Sequence, residues 1–450
     1  MKSILFVIPW RQSLENNPNY DYSKEAERAP ENVVCLATFL EAHGVRVKIA
    51  DMFKIVVDNK GNISQSLVEL TKICNDFNPD YIGLSFFTAR FLQASTIVNS
   101  LRSKYPKGGE VKIIAGGVHP TLLPELTMKH ISFDALIIGE GEIPLLKLMR
   151  GEKMSLVKGV YTFPNYNKEK ADIIMNLDDL PLPNWSLVDI NFYNRPSYLI
   201  SYEKPDGVMP ITFGRGCGYR CNFCAHSCFL KLRAHSAKYT YEMVNSVSEQ
   251  CHVSSFIFQD STIGNYRQEW LEFCNLLIKN KKNYKWWINL RVNQADEELL
   301  SLSKDAGCVK VFYGFESGSP RILEQMNKKT TVEQCRLTAA LHHKLGLPFY
   351  ASFIVNYPSE TEEDLSLSEK LILETKPTSI AINKFAPIPG SVDFERVKGK
   401  LTPHLQTISD WSSLGMLQSP LLFGNMEEER FHYWFNHLRE LRKVINYGKN

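Results

Sequence analysis

Three cysteines, Cys217, Cys221 and Cys224, are spaced C-x3-C-x2-C in the segment Gly214-Arg215-Gly216-Cys217-Gly218-Tyr219-Arg220-Cys221-Asn222-Phe223-Cys224. Thiolates this close on a glycine-punctuated loop can converge on one iron–sulfur cubane, and three ligands on a four-iron cluster leave one iron open to a further ligand. The competing chemistry is structural zinc, which usually takes four N or S ligands in paired C-x2-4-C arrangements. No second pair exists among Cys35, Cys74, Cys251, Cys274, Cys308 and Cys335. His226 and Cys228 are near enough to supply a fourth ligand, since Cys224 to Cys228 repeats the x3 gap, but they read as non-ligands. The six scattered cysteines lie inside apolar helix- or strand-like patterns and read as small buried residues.

The chain has 450 residues, 44% hydrophobic and 22% charged. That composition can bury a real core and does not suit a disordered chain. At roughly 100 to 200 residues per domain, two or three domains are expected. Lys and Arg number 52 against 49 Asp and Glu, and the net charge of +3 is interspersed along the chain. It gives no electrostatic case for nucleic acid or an anionic membrane as partner. Met1 to Trp10 carries a short apolar run with no small-residue cleavage site before the polar stretch Arg11 to Lys24, so it reads as a first strand and not a signal peptide. No apolar run of roughly 18 residues or more occurs. A cytoplasmic location is the expectation, and in a reducing cytosol clustered cysteines read as metal or cluster ligands rather than disulfides.

Upstream of the cysteines, strand-like and helix-like segments alternate. Ser3 to Pro9 is an apolar strand run, Asn32 to His43 has helical spacing and stops at Gly44, and Val45 to Ala50 alternates as a strand. A helix at about Ser64 to Phe77, a strand Tyr81 to Ser85, a helix at about Leu92 to Tyr105, and strands Lys112 to Ala115 and Ala135 to Ile138 continue the pattern. This predicts an α/β fold with a doubly wound, Rossmann-like parallel sheet over residues 1–152, whose ligands bind beyond the carboxyl ends of the strands. The turns there read Ser85-Phe86-Phe87-Thr88, Gly116-Gly117-Val118-His119-Pro120-Thr121 and Gly139-Glu140-Gly141-Glu142. Glycine pairs let a large ligand approach the backbone, and the hydroxyls of Ser85, Thr88 and Thr121 can meet its polar edge. Tight β–α turns without a ligand would use the same glycines. No G-x-G-x-x-G follows the first strand, which argues against a nicotinamide cofactor.

With its I-G-L-S, G-G-x-H-P-T and G-E-G-E turns, the block Tyr81 to Glu142 resembles the cobalamin-binding domain that precedes the catalytic domain in cobalamin-dependent radical S-adenosylmethionine enzymes. The resemblance implies cobalamin bound by Ser85, Thr88, Gly116, Gly117, His119, Pro120, Thr121, Gly139, Glu140, Gly141 and Glu142. The Asp-x-His-x-x-Gly loop that ligates cobalt from below in methionine-synthase-type domains is missing: His43 is followed by Gly-Val-Arg, and His119 sits in Gly-Val-His-Pro-Thr. The resemblance therefore implies cobalamin without a histidine lower ligand, with the Ser85 to Arg90 loop as the candidate cover for that face.

Residues 153–205, rich in Asn, Asp, Pro and Tyr and interrupted by Pro181-Leu182-Pro183, read as an irregular linker. Val208 to Phe213 then forms a strand that runs into the cysteine loop. C-x3-C-x-aromatic-C at the end of a first barrel strand resembles the radical S-adenosylmethionine signature. In that family the three cysteines hold a [4Fe-4S] cluster, the open iron chelates the amine and carboxylate of S-adenosylmethionine, and the aromatic residue, Phe223 here, lies near the adenine. Strands at Ser255 to Gln259, Lys285 to Leu290, Lys310 to Tyr313, Phe349 to Val355 and Ser379 to Asn383 agree with the family's partial (β/α)6 TIM-type barrel over residues 206–400, with chemistry at the carboxyl ends. By resemblance, Glu316 and Ser317 bind the ribose or methionyl end of S-adenosylmethionine, Arg291 stands near its carboxylate, and Asp260 lines the site. A zwitterionic sulfonium ligand calls for a cation and for hydrogen-bond acceptors of this kind. Asn356 stands where the family often has glycine, and Ser359 replaces a common glycine before Glu-Thr. Trp286 and Trp287 should point to opposite faces of their strand. Residues 401–450 read as a helical tail in which Glu427 to Lys443 is amphipathic, acids first and bases last.

The layout implies an enzyme, most often a methyltransferase acting on an unactivated carbon, or phosphorus, of a small molecule or peptide. As the resemblance has it, cobalt takes a methyl from one S-adenosylmethionine and a second is cleaved to a 5′-deoxyadenosyl radical. The substrate radical then collects the methyl from methylcobalamin. An electron donor such as flavodoxin or ferredoxin is implied as well. Two alternatives stay open: cyclisation, ring contraction or oxidation on the same scaffold without methyl transfer, and a cluster- or zinc-bearing protein without turnover. The sequence names neither a catalytic side chain nor the substrate.

Overall fold

The computed structural model describes residues 2–15, 28–163, 169–194, 207–225, 231–414 and 421–446; His226 and Cys228 lie outside them. The chain divides into two compact units, Met1–Tyr193 with Thr402–Leu414 and Asn194–Leu401 with Gly415–Asn450. The divisions read from composition at 152, 205 and 400 do not coincide with this partition. No helix among the described residues is long and apolar enough to cross a membrane.

In the first unit, β1 (Ser3–Ile8), β2 (Arg46–Asp51), β3 (Tyr81–Ser85), β4 (Lys112–Gly116), β5 (Ala135–Ile137) and β6 (Val160–Tyr161) form one sheet in the order β2-β1-β3-β4-β5-β6. Every pairing is parallel except that of β5 with β6. Ile4, Leu5, Phe6 and Val7 are all buried, as expected of a parallel strand covered on both faces. The strand order reverses between β1 and β3, the switch point at which doubly wound sheets take their ligands. Carboxylates pin the amino ends of the strands. Asp80 accepts hydrogen bonds from the Ser3 N–H at 2.7 Å and the Ser3 hydroxyl at 2.8 Å. Asp134 accepts from the Ile113 N–H at 2.7 Å and from Arg102 at 2.8 Å. The turns at the carboxyl ends of β3, β4 and β5, the last two bearing glycines, therefore fall side by side along the opposite edge. Strand β6 comes from the stretch expected to be irregular linker. The helix Met52–Asp58 has no counterpart in the sequence reading; it starts directly from β2, with Asp51 accepting from the Phe53 and Lys54 N–H groups as its N-cap.

In the second unit, β7 (Met209–Ile211), β10 (Ser255–Phe258), β11 (Lys285–Leu290), β12 (Cys308–Glu316), β13 (Phe349–Val355) and β14 (Ser379–Lys384) form a parallel sheet in the order β14-β13-β12-β11-β10-β7. Sequential order with helices between strands is the expected partial barrel. Strands β8 (Gly214–Arg215) and β9 (Arg233–Ala234) pair antiparallel as a separate ribbon at the root of the cysteine loop. Outside the sheet, Trp270 meets Phe258 and Trp286 edge-on at 4.9 and 5.1 Å between ring centroids, and each such buried aromatic contributes about 1.5–3 kcal/mol. Trp286 is buried on that face. Trp287 lies half-buried on the other, 6.4 Å from Phe312.

The loop after β13 turns sharply, with φ of +65° at Asn356 and +71° at Ser359. Asparagine is among the few non-glycine residues that visit this region routinely, and its side chain holds a strap from the end of the chain. Asn356 Oδ1 accepts from the Phe423 N–H at 2.7 Å and the Gly424 N–H at 3.1 Å, while Nδ2 donates to the Leu421 carbonyl at 2.8 Å. The Asn425 N–H donates to the Glu360 carbonyl at 2.7 Å. Beyond the strap, the helix Glu428–Asn446 is fastened to the helix Glu362–Thr375 through Trp434 to Glu362 at 2.9 Å and His437 to Glu369 at 2.6 Å. A glycine at 356 would keep the turn and lose the strap. Asn356→Gly should therefore lower the thermal midpoint by the loss of three hydrogen bonds, each worth about 1 kcal/mol net. Asn356→Ala should lower it further, because a Cβ in this region costs roughly 1–2 kcal/mol. Calorimetry showing the two variants equal to wild type would refute the strap.

Candidate functional site

The segment from Gly216 to Cys224 has no regular secondary structure, so its polar backbone must be satisfied by neighbours. Asp260, 4% exposed at the end of β10, accepts from the Phe213 N–H at 3.0 Å and the Gly214 N–H at 2.6 Å. Both of its carboxylate oxygens thus hold the entry to the loop. At the exit, the Asn222 N–H donates to the Met326 carbonyl at 2.9 Å and Asn222 Nδ2 to the Gln325 carbonyl at 2.7 Å. Asn327 Nδ2 donates to the Arg220 carbonyl at 2.7 Å, and the Asp393 N–H to the Asn222 carbonyl at 2.9 Å. Cys221 is buried, and Cys217 and Cys224 are partly exposed. Among the described residues, no group of three or more His, Cys, Asp or Glu side chains gathers as a site for a metal ion. A cubane asks for something else, one thiolate on each of three separate irons, and an all-thiol donor set on one braced loop fits it.

Arg291 follows β11. Its Nη1 lies 3.4 Å from Cys221 Sγ, Nη2 donates to the Lys328 carbonyl, and the guanidinium carbon stands 3.7 Å over the Tyr219 ring. Glu316, at the end of β12, has φ of +65°, and its Oε1 accepts from Lys328 Nζ at 2.6 Å. Both side chains of that ion pair are nearly buried, and the ammonium lies 5.6 Å from the Phe223 ring centroid. The pair fits only because residue 314 is glycine: a Cβ there would stand 2.1 Å from Glu316 Oε1 and 2.8 Å from Lys328 Nζ. Phe223, Arg291 and Glu316 are therefore brought together, with Lys328 and Tyr219 beside them. Sequence reasoning missed Lys328 because it sits in Asn327-Lys328-Lys329, where nothing separates it from a surface lysine. Ser317 is fully buried; its Oγ accepts from the Ser319 N–H at 3.1 Å, so it shapes the turn from inside. A buried carboxylate, an ammonium and an aromatic face beside a thiol loop suit a zwitterionic sulfonium ligand with an adenine.

In the first unit, the three turns meet at the strand ends. The Phe86 N–H donates to the Gly116 carbonyl at 3.3 Å, the His119 N–H to the Phe86 carbonyl at 3.2 Å, and the Gly139 N–H to Thr121 Oγ1 at 3.0 Å. Gly117 has φ of +95°, and a Cβ on it would lie 2.9 Å from the Phe86 nitrogen. Gly139 has φ of +89° with open space where a Cβ would be. Pro120 and Glu142 are buried, with Glu142 opening the helix Glu142–Met149, and Gly141 packs against Leu36. Ser85, Thr88, Gly116, Thr121 and Glu140 are half-buried at the strand ends. Bare backbone and hydroxyls fit the amide-rimmed edge of a corrin. His119 is fully buried between Phe86 and Phe91, with ring centroids 5.5 and 4.2 Å away. Its Nδ1 meets Thr88 Oγ1 at 3.0 Å, Nε2 has no partner, and burial drops the imidazole to about 3. It is a neutral core residue that holds the Thr88 turn. Phe87, in the loop expected to cover the lower face, is 59% exposed.

Glu360, in the loop after β13, is fully buried; Oε2 accepts from the Asn356 N–H at 2.6 Å and Oε1 has no partner. Burial pushes this carboxyl up to about 8, against the pull of the Asn356 and Tyr357 N–H groups. Between about 4.5, its ordinary value, and 8, the folded chain holds a proton that the unfolded chain releases, so this contribution to stability falls as pH rises through that window. Glu360→Gln keeps the acceptor and cannot titrate. Urea midpoints at pH 5.5 and 8.5 should therefore fall less in the variant than in wild type; equal falls would rule out the buried acid.

Comparison with known proteins agrees with this geometry. The model of the B12 binding domain matches residues 28–149, and that of the radical SAM superfamily matches residues 211–372. An uncharacterised methyltransferase of Pyrococcus horikoshii is 27% identical over 72% of this chain and 70% of its own length. An anaerobic magnesium-protoporphyrin IX monomethyl ester cyclase of Rubrivivax gelatinosus is 28% identical over 86% of this chain and 70% of its own. The fold is similar to that of the radical S-adenosylmethionine methyltransferase TsrM from Kitasatospora setae, solved with cobalamin and a [4Fe-4S] cluster, with a TM-score of 0.67 at 15% identity over 90% of this chain and 76% of that one. The chain thus carries a B12 binding domain ahead of a domain of the radical SAM superfamily, the pairing expected of cobalamin-dependent radical S-adenosylmethionine enzymes.

Proposed function

We propose that the protein is a methyltransferase that moves a methyl group from S-adenosylmethionine to an unactivated carbon, or phosphorus, of a small-molecule or peptide substrate. The observation that carries this reading is the braced thiol loop beside the Glu316–Lys328 pair, in a chain whose other unit offers glycine-bearing turns at its strand ends. Similarity to a named methyltransferase supports it. When bound, the cluster supplies the electron that cleaves S-adenosylmethionine, and cobalamin supplies a cobalt able to carry methyl. The chain's own residues position and seclude. Cys217, Cys221 and Cys224 hold three irons; Phe223 offers a face to the adenine; Glu316 accepts from the amine or ribose; Lys328 neutralises that carboxylate and adds a positive charge. Gly117 lets the Phe86 turn pack against it, Gly139 leaves the corrin edge room to reach the backbone, and Ser85 and Thr121 meet its amides. Burial of the charged pair keeps water from the reactive centre. A flavodoxin or ferredoxin in the cytoplasm would supply the electron, and nucleic acid has no part in this reading.

A second reading is cyclisation or oxidation without methyl transfer, favoured by the similarity to the Rubrivivax gelatinosus cyclase. Trideuteromethyl S-adenosylmethionine separates the two. Incubated anaerobically with reductant, cobalamin and substrate, the protein should give a product that carries the label, whereas unlabelled product of unchanged carbon count rejects methylation. Ala variants at Cys217, Cys221 or Cys224 should lose the cluster's visible absorbance and form no 5′-deoxyadenosine. Stoichiometric zinc without iron in the anaerobically purified chain would overturn both readings.

A further inference from the structure

Arg291 is 7% exposed, and among the described residues no carboxylate stands within ion-pair distance of it. A buried cation with no counter-charge costs several kcal/mol, so the fold needs an anion at this place. Cys221 Sγ lies 3.4 Å from Nη1 and becomes that anion when the loop carries iron. Nε is buried without a hydrogen-bond partner, and two further contacts keep the group in place. Nη2 is bound to the Lys328 carbonyl, and the planar face lies on Tyr219, a residue of the cysteine loop itself. Tyr219 is steadied in turn by Asn293 Nδ2, 3.4 Å from its hydroxyl. Only a planar fork can make these three contacts at once; a lysine ammonium could make one of them.

We propose that Arg291 is the counter-ion of the cluster: its guanidinium, held flat against Tyr219, donates a hydrogen bond to the Cys221 thiolate and raises the cluster's reduction potential. On reduction the cluster gains one electron, drawn from the external donor, and no bond forms or breaks. The added negative charge spreads onto the thiolates, where an N–H···S bond and a fixed positive charge stabilise it more than they stabilise the oxidised state. This inference rests on the three cysteines holding an iron–sulfur cluster and assigns to Arg291 a task separate from contact with S-adenosylmethionine.

The test uses the full chain, reconstituted anaerobically without S-adenosylmethionine, with iron and sulfide content and an EPR-monitored redox titration as readouts. Arg291→Gln should retain wild-type iron and shift the one-electron reduction equilibrium at least tenfold toward the oxidised cluster, a fall of about 59 mV or more. Arg291→Lys, which keeps charge but not the fork, should fall between the two, and Tyr219→Leu should lower the potential by loosening the guanidinium. An unchanged potential in an iron-replete Arg291→Gln chain overturns the proposal. If that variant takes up no iron, the other two decide: both at the wild-type potential overturns it, and both lowered supports it. A wild-type chain that takes up no iron overturns the cluster reading itself, and the counter-ion with it, a failure distinct from a full cluster at an unmoved potential.

Discussion

The second unit depends on satisfying the polar groups of one loop that has no regular structure. Three thiols must stand apart on a short irregular segment, within which the Cys224 N–H donates to the Cys221 carbonyl at 3.1 Å while other polar groups turn to neighbours. Asp260 takes up the amides at its entry, and Gln325, Met326, Asn327 and Asp393 hold Arg220 and Asn222 within it; these residues lie after β10, after β12 and after β14. The sheet is therefore a jig: parallel strands bring their carboxyl ends to one side, and each end contributes one or two polar groups to the same loop. This explains why polar residues cluster at strand ends while the strands are apolar, and why several of them face the loop and not a ligand.

The first unit meets a milder form of the same demand. Its sheet is pinned by carboxylates at the amino ends of β3 and β5, which leaves the carboxyl edge free to be built from glycine turns. The turns brace one another through backbone bonds, and the buried neutral His119 fills the space beneath them. Rigidity comes from below and access from above, a division that suits a large ligand better than flexible loops would.

Much of this was legible in the sequence because period and spacing act locally. The strands Tyr81–Ser85, Lys285–Leu290 and Phe349–Val355 have the bounds expected of them, since each is a compact run of strand-forming residues ended by a turn. The cysteine loop was legible for the same reason. What could not be read were roles set by partners far along the chain. Asp260 sits at the expected strand end, yet its oxygens meet Phe213 and Gly214. Lys328 resembles any surface lysine until β12 places Glu316 beside it. Strand β6 is two residues long and hides in a proline-rich stretch, and it owes its existence to the exposed edge of β5. Asn356, which departs from glycine, is explained by asparagine's tolerance of positive φ and by a strap whose donors lie 67 and 68 residues away, whereas Ser359 keeps a backbone that glycine would adopt more easily and donates from its hydroxyl to Gln325 Oε1 at 2.7 Å.

That strap has a consequence for biosynthesis. A chain emerging from the ribosome folds amino end first, and the first sheet has all its strands before the cysteine loop is made. The loop after β13 receives Leu421, Phe423 and Gly424 only once a further 65 to 68 residues beyond Asn356 have been made. Until then the turn at Asn356 lacks its tether and the Glu360 carbonyl lacks the Asn425 donor. The turn after β13 is thus completed by a segment made some 65 residues later, so a growing chain carries that loop untethered until residues 421–425 have left the ribosome.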